Sequence, residues 1–119
     1  MSTCHPGSWI GVDLDGTLAE YACWSGLEHI GAPIPAMVER VKQWIAEGQE
    51  VRIFTARVGG HLTATEVNNI QNTIQAWCIR HIGSAIPITA TKDLKMYELW
   101  DDRAVCVERN TGRVLGRNP

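Results

Sequence analysis

Long apolar runs are missing from this 119-residue sequence, and no stretch approaches the length of a membrane-spanning helix. Residues 1–8 contain no basic stretch followed by an apolar run, so a secretory signal is not expected, and they read as a flexible terminus. Excess charge of either sign is also missing. The 11 basic and 13 acidic residues leave a formal net charge of −2. That balance excludes general nucleic-acid binding by phosphate neutralisation. Only Arg109, Arg113 and Arg117 form a mild basic cluster. The cysteines are few and unpatterned. Cys4, Cys23, Cys78 and Cys106 show neither CxxC spacing nor a disulfide framework, so they read as reduced thiols of a cytoplasmic protein. Internal repeats, linkers and low-complexity segments are absent too.

What is present suits a globular domain. The chain is 45% hydrophobic and 20% charged, and its length fits one domain over residues 1–119 with no room for a second core. The apolar run from Trp9 ends in acids by Asp15, the pattern of a buried strand with polar groups at its carboxyl end. Residues 19–35, irregular and rich in glycine and aromatics, read as a long functional loop. Pro35 suits the first position of a helix whose apolar face is Val38, Val41 and Ile45, with Gly48 as its stop. Residues 50–55 alternate as a second strand. Thr63 and Glu66 have the spacing of a capping box, opening a helix with the stripe Val67, Ile70, Ile74, Trp77 and Cys78. Residues 86–89 form a short third strand. Residues 97–100 lead as a further strand into Asp101-Asp102, and residues 105–107 read as a last strand. The turn at 110–112 then leads into a short hairpin arm, 113–115. Strands alternating with helices predict an α/β domain with a mostly parallel sheet and right-handed crossovers.

The chemistry gathers where such a sheet binds ligands, outside the carboxyl ends of its strands. Asp13-Leu14-Asp15-Gly16-Thr17 follows the first strand directly. Paired acids with a glycine that frees the backbone make an oxygen-rich corner suited to Mg²⁺. A solvated acidic turn is the plainer alternative. A calcium loop of the EF-hand type fits poorly, because Gly16 stands three residues after Asp13 instead of five and Trp24 occupies the glutamate position. The second strand ends in Thr55, the third in a threonine-rich loop reaching Lys92, and the fourth in Asp101-Asp102. All of these lie on one sheet edge.

In that order these residues resemble the motifs of the haloacid dehalogenase (HAD) superfamily of phosphatases: Asp13-x-Asp15-Gly-Thr17, Ile53-Phe-Thr55, Lys92 and Asp101-Asp102. The resemblance spans nearly the whole chain and implies a three-layer, Rossmann-like domain. It also implies a nucleophilic Asp13 that forms an aspartyl-phosphate, and Asp15 as acid and then base. Mg²⁺ would be held by Asp13, the backbone carbonyl of Asp15 and Asp102, with Asp101 behind them. Thr55 would donate to a phosphoryl oxygen, and Lys92 would neutralise charge, with Lys95 as the alternative lysine. Thr17, Arg57 and Trp24 are candidate substrate contacts. Arg57 would hold a second anionic group, and Trp24 or His29 would reach the substrate from the long loop. His61 and His81 read as surface residues, Trp44 and Trp77 as core.

Residues 18–48 and 56–84 leave no room for the cap domain of many relatives. An open site is therefore expected, suited to a phosphorylated small molecule or the exposed phosphate of a larger one, or closed by a second subunit of a homo-oligomer. A catalytically idle binding module is the competing reading. A receiver-type signalling domain would need a phospho-accepting aspartate in mid-chain, and residues 51–90 contain none.

Overall fold

Every pairing within the four-stranded sheet is parallel, and the most apolar strand lies inside it. The computed structural model describes residues 5–116. In chain order the elements are β1 (Trp9–Asp13), α1 (Pro35–Ala46), β2 (Glu50–Phe54), a short 3₁₀ turn (Ala56–Val58), α2 (Ala64–His81), β3 (Ile88–Thr89) and β4 (Met96–Trp100). The strands lie in the order β3-β2-β1-β4. β1 has a neighbour on each side, and Trp9, Ile10 and Val12 are essentially inaccessible to solvent, as a strand covered on both faces requires. Val12 pairs with Ile53 on one side and with Trp100 on the other. This register nearly levels the carboxyl ends of β1, β2 and β4: Asp13 pairs with Phe54, Thr55 follows one residue on, and Asp101 follows Trp100.

The helices form where the sequence predicts. Thr63 Oγ1 accepts from Glu66 N at 3.1 Å, and Glu66 Oε1 accepts from Thr63 N at 2.9 Å, completing the capping box of α2. Met37, Val38 and Val41 of α1 and Ile70, Ile74, Trp77 and Cys78 of α2 share one apolar cluster with Ile10, Val12, Val51 and Ile53. Side chains alternate along a strand, so Trp9, Gly11 and Asp13 point to the opposite face. Both helices therefore lie on one side, as right-handed crossovers running the same way from β1 to β3 require.

The opposite face carries no helix among the described residues. Residues 90–95 connect β3 to β4, long enough to span the sheet when extended but too short to add a helix. This segment shields the face instead. Trp9 Nε1 donates to Asp93 Oδ1 at 2.8 Å, and Arg52 Nη1 donates to Asp93 Oδ2 at 3.4 Å. The Arg52 guanidinium lies 4.5 Å from the centre of the Trp9 ring, which completes the burial of Trp9.

Two expectations change. Residues 105–107 do not join the sheet. They pair with the arm through a single bridge, Val107 to Val114, and through Leu115 N to Cys106 O at 2.8 Å. The turn carries Asn110 at φ 67°. A strand needs a free neighbouring edge, and the chain turns out of the sheet at Asp102. The terminus expected to be flexible lies only partly within the described residues: 1–4 fall outside them, as does Arg117. His5, by contrast, is anchored. Its N donates to Gln49 Oε1 at 2.7 Å, and its ring stacks on Tyr97 at 3.5 Å. Among the described residues no helix is long and apolar enough to cross a membrane.

Ile53 is fully buried between the sheet and both helices. Ile53→Ala should therefore lower the unfolding free energy by about 3 kcal/mol, read as a lower urea midpoint at unchanged m-value.

Candidate active site

The turn after β1 is set by its leucines. Leu14 and Leu18 are fully buried, and Leu14 O accepts from Leu18 N at 3.0 Å and Ala19 N at 2.9 Å. With the leucines committed to the core, Asp13, Asp15 and Thr17 face the open end of the sheet. Gly16 has φ +91°, and a Cβ there would lie 2.5 Å from Asp102 Oδ2. Only glycine meets both conditions, which gives the Asp-Gly step a role beyond a turn preference.

Asp13, Asp101 and Asp102 each bring a carboxylate oxygen within 4.8 Å of the others. Thr17 joins them. Its hydroxyl accepts from Asp102 N at 2.9 Å and lies 3.3 Å from Asp13 Oδ2 and 3.2 Å from Asp102 Oδ1. Thr17 thus bridges Asp13 and Asp102. Burial pushes the Asp13 carboxyl up from 3.8 to about 7, with further upward contributions from its hydrogen bond to Asp102 and the charges of Asp101 and Asp102, against a lowering by Thr17. Three carboxylates at this spacing could hold a metal ion. Both acids of the Asp101-Asp102 pair belong to the cluster.

The Asp15 carboxylate is held elsewhere. Arg57 Nε donates to Asp15 Oδ2 at 2.8 Å and Nη2 to Oδ1 at 2.7 Å, a bidentate pair. Arg57 Nη1 also donates to Leu27 O at 2.6 Å and Gly26 O at 3.2 Å. Arg57 is only 5% exposed. Instead of reaching outward for a second anionic group, it clasps the long loop to the first motif. Sequence reasoning missed this clasp, because nothing in a Thr-x-Arg spacing identifies a partner 42 residues away. Thr55 is buried and accepts from Arg57 N at 3.2 Å, capping the turn that carries the arginine.

Both lysines lie in the crossing segment, residues 90–95. Lys95 O accepts from Trp9 N at 2.9 Å, which puts its backbone at the amino end of β1, some 13 Å of strand from Asp13. Lys92 lies nearer the carboxyl edge but is exposed, and among the described residues it makes no ion pair with the cluster. Trp24 is 55% exposed, with the Arg57 guanidinium 5.2 Å from its ring centre. His29 lines a separate cavity of about 510 Å³, between the long loop and Glu66, Asn69 and Ile70 of α2. Comparisons with protein-family models, curated proteins and solved structures returned no match.

Two outcomes follow from the acids. Folding raises the affinity of Asp13 for its proton, so without divalent cation the folded chain binds more protons than the unfolded one between pH 3.8 and about 7. Stability from this group should therefore fall as pH rises through that window. Added Mg²⁺ should raise the melting temperature most at the alkaline end, measured by scanning calorimetry. Arg57→Ala leaves Asp15 without its buried partner and should cost about 3 kcal/mol in a denaturant titration, with faster proteolysis of residues 21–29.

Proposed function

We propose that this chain is a Mg²⁺-dependent phosphohydrolase of the HAD kind, acting on phosphomonoesters with Asp13 as nucleophile. One observation carries the proposal: Asp13, Asp101 and Asp102 meet at the carboxyl ends of neighbouring parallel strands, spaced by Thr17 and Gly16. The strand order agrees with one half of a doubly wound, Rossmann-like sheet.

Asp13 would attack phosphorus while the bond to the ester oxygen breaks, and the departing oxygen would take a proton from Asp15. Water would then attack the aspartyl-phosphate, giving its proton to Asp15, releasing inorganic phosphate and restoring Asp13. Mg²⁺ held by Asp13, Asp102 and the Asp15 backbone carbonyl, with Asp101 beside them, would offset the charge of nucleophile and phosphate. Each Asp15 oxygen accepts one Arg57 hydrogen bond and keeps a second lone pair that would carry the proton. The Lys92 side chain would swing in from its exposed position to share the charge, and Thr55 would donate to a phosphoryl oxygen. No cap interrupts residues 14–34 or 55–63, so the site stays open. Exposed Cys23 and Cys106 and buried Cys78 are free thiols, in keeping with a cytoplasmic protein. The sequestered Asp15 carboxylate favours one other reading, an idle binding module of the same fold.

Purified protein should release phosphate from p-nitrophenyl phosphate with Mg²⁺ and stop on addition of EDTA. Asp13→Asn should lose at least about a thousandfold in turnover while keeping its far-UV circular dichroism. Wild-type turnover in Asp13→Asn would disprove the nucleophile, and no turnover by the wild type on any phosphomonoester would favour the idle module.

A further inference from the structure

We infer that two copies of this chain exchange their C-terminal arms, each arm lying in a groove between α2 and the long loop of its partner. The inference does not depend on the phosphohydrolase reading. Residues 104–116 fold back on themselves and, among the described residues, hydrogen-bond only with one another. None of them joins the apolar cluster under the helices. Val107 and Val114 are bridge partners, so their side chains leave the same face of the arm. Both are exposed, at 52% and 45%, and Val105 is exposed as well. The radius of gyration is 15.0 Å. A compact domain of this size has about 13 Å, and a segment standing off the body accounts for the excess. A two-stranded hairpin is marginal in water until its apolar face packs on something. In a single chain these valines remain in water.

The groove that receives the arm has firm walls. A cavity of about 510 Å³ lies between residues 25–29 and the first half of α2, and one of about 460 Å³ between the following loop residues and the second half. Glu28 lines both. Their α2 residues, from Glu66 through Asn69, Thr73 and Trp77 to Arg80, fall on one stripe of the helix, so the two cavities make one channel about 21 Å long. Trp77 Nε1 donates to Gly31 O at 3.0 Å, Glu20 N donates to Ala32 O at 2.8 Å, and Arg57 grips the carbonyls of Gly26 and Leu27. A guest therefore meets a surface that is already ordered.

The channel changes character along its length. Glu28 and Glu66 stand at one end beside His29, Ile30, Pro33 and Ala76 line the middle, and Arg80 and His81 close the other end. The arm matches that order. Its turn region carries Arg109 and Arg113 against one acid, Glu108. Arg113 is engaged by Glu108 at 2.6 Å, and Arg109 has no ion pair among the described residues. Arg109 at the tip meets Glu28 and Glu66, and the valine face just behind it falls on Ile30, Pro33 and Ala76. Charge fixes the direction, because the reverse would set Arg109 against Arg80. The arm is not seated on its own domain, so the occupant is a second copy, and exchange in both directions closes the pair as a dimer.

The test is sedimentation equilibrium of the full chain over micromolar to millimolar concentrations. The wild type should dimerise, and Val107→Asp should weaken the dimer at least about tenfold by putting a charge into the apolar stretch. Arg109→Glu and Glu28→Arg should each weaken it about tenfold. Combined in one chain they should restore it to within about threefold of wild type, because the reversed pair attracts again. All three positions are exposed and outside the acid cluster, so far-UV circular dichroism should not change. A wild type that stays monomeric at millimolar concentration, a dimer indifferent to Val107→Asp, or a double reversal no tighter than the single ones would each overturn the inference. So would a monomer whose own urea midpoint falls with Val107→Asp, since the arm would then pack on its own domain.

Discussion

Three carboxylates held close together repel one another, and this fold holds them there with hydrogen bonds. Asp13 ends the central strand, Asp101 and Asp102 follow the edge strand, and the Thr17 hydroxyl bridges them. The ladder from Ile10–Glu98 to Val12–Trp100 brings the two stretches together, while buried Leu14 and Leu18 keep the intervening turn from relaxing outward. Burial first, and the neighbouring Asp102 and Asp101 after it, push the Asp13 carboxyl up to about 7. Apolar packing and backbone pairing thus supply the energy that keeps an unfavourable charge arrangement in place, a common use of stability at functional sites.

The second acid of the first motif is handled differently. Asp15 has a private counter-charge in Arg57, and that arginine also joins the β1 turn, the 3₁₀ turn after β2 and the tip of the long loop. Buried pairs of this kind add little net stability over apolar packing but strongly penalise loss of either partner. Here the pair links two parts of the site, so the loop carrying Trp24 and the side chain of Asp15 depend on one guanidinium.

Periodicity and local chemistry made much of this fold legible in the sequence. The capping box at Thr63 and Glu66 is a three-residue relation, and the apolar stripes of both helices repeat at short range, so both could be read directly. The shared edge for Asp13, Thr55 and Asp101-Asp102 was legible because each follows an apolar strand. What escaped depends on distance. The Arg57–Asp15 clasp joins segments whose sequence spacing carries no trace of it. The absence of a helix from the second face could be sensed only in the brevity of the segment before β4. Val105 and Val107 have strand-like composition, but pairing is decided by available edges, and the chain has already left the sheet at that point.

The edge strand holds one irregularity with consequences of its own. Trp9 pairs with Met96, but Ile10 pairs with Glu98, so Tyr97 is an extra residue at the amino end of the β1–β4 ladder. Beyond it the pairing runs evenly to Trp100. A bulge placed there takes up slack before it reaches the acids. Residues inserted into the crossing segment would therefore change its path over the sheet without shifting the alignment of Asp102 against Asp13. In this chain the irregular pairing and the acid cluster lie at opposite ends of one strand.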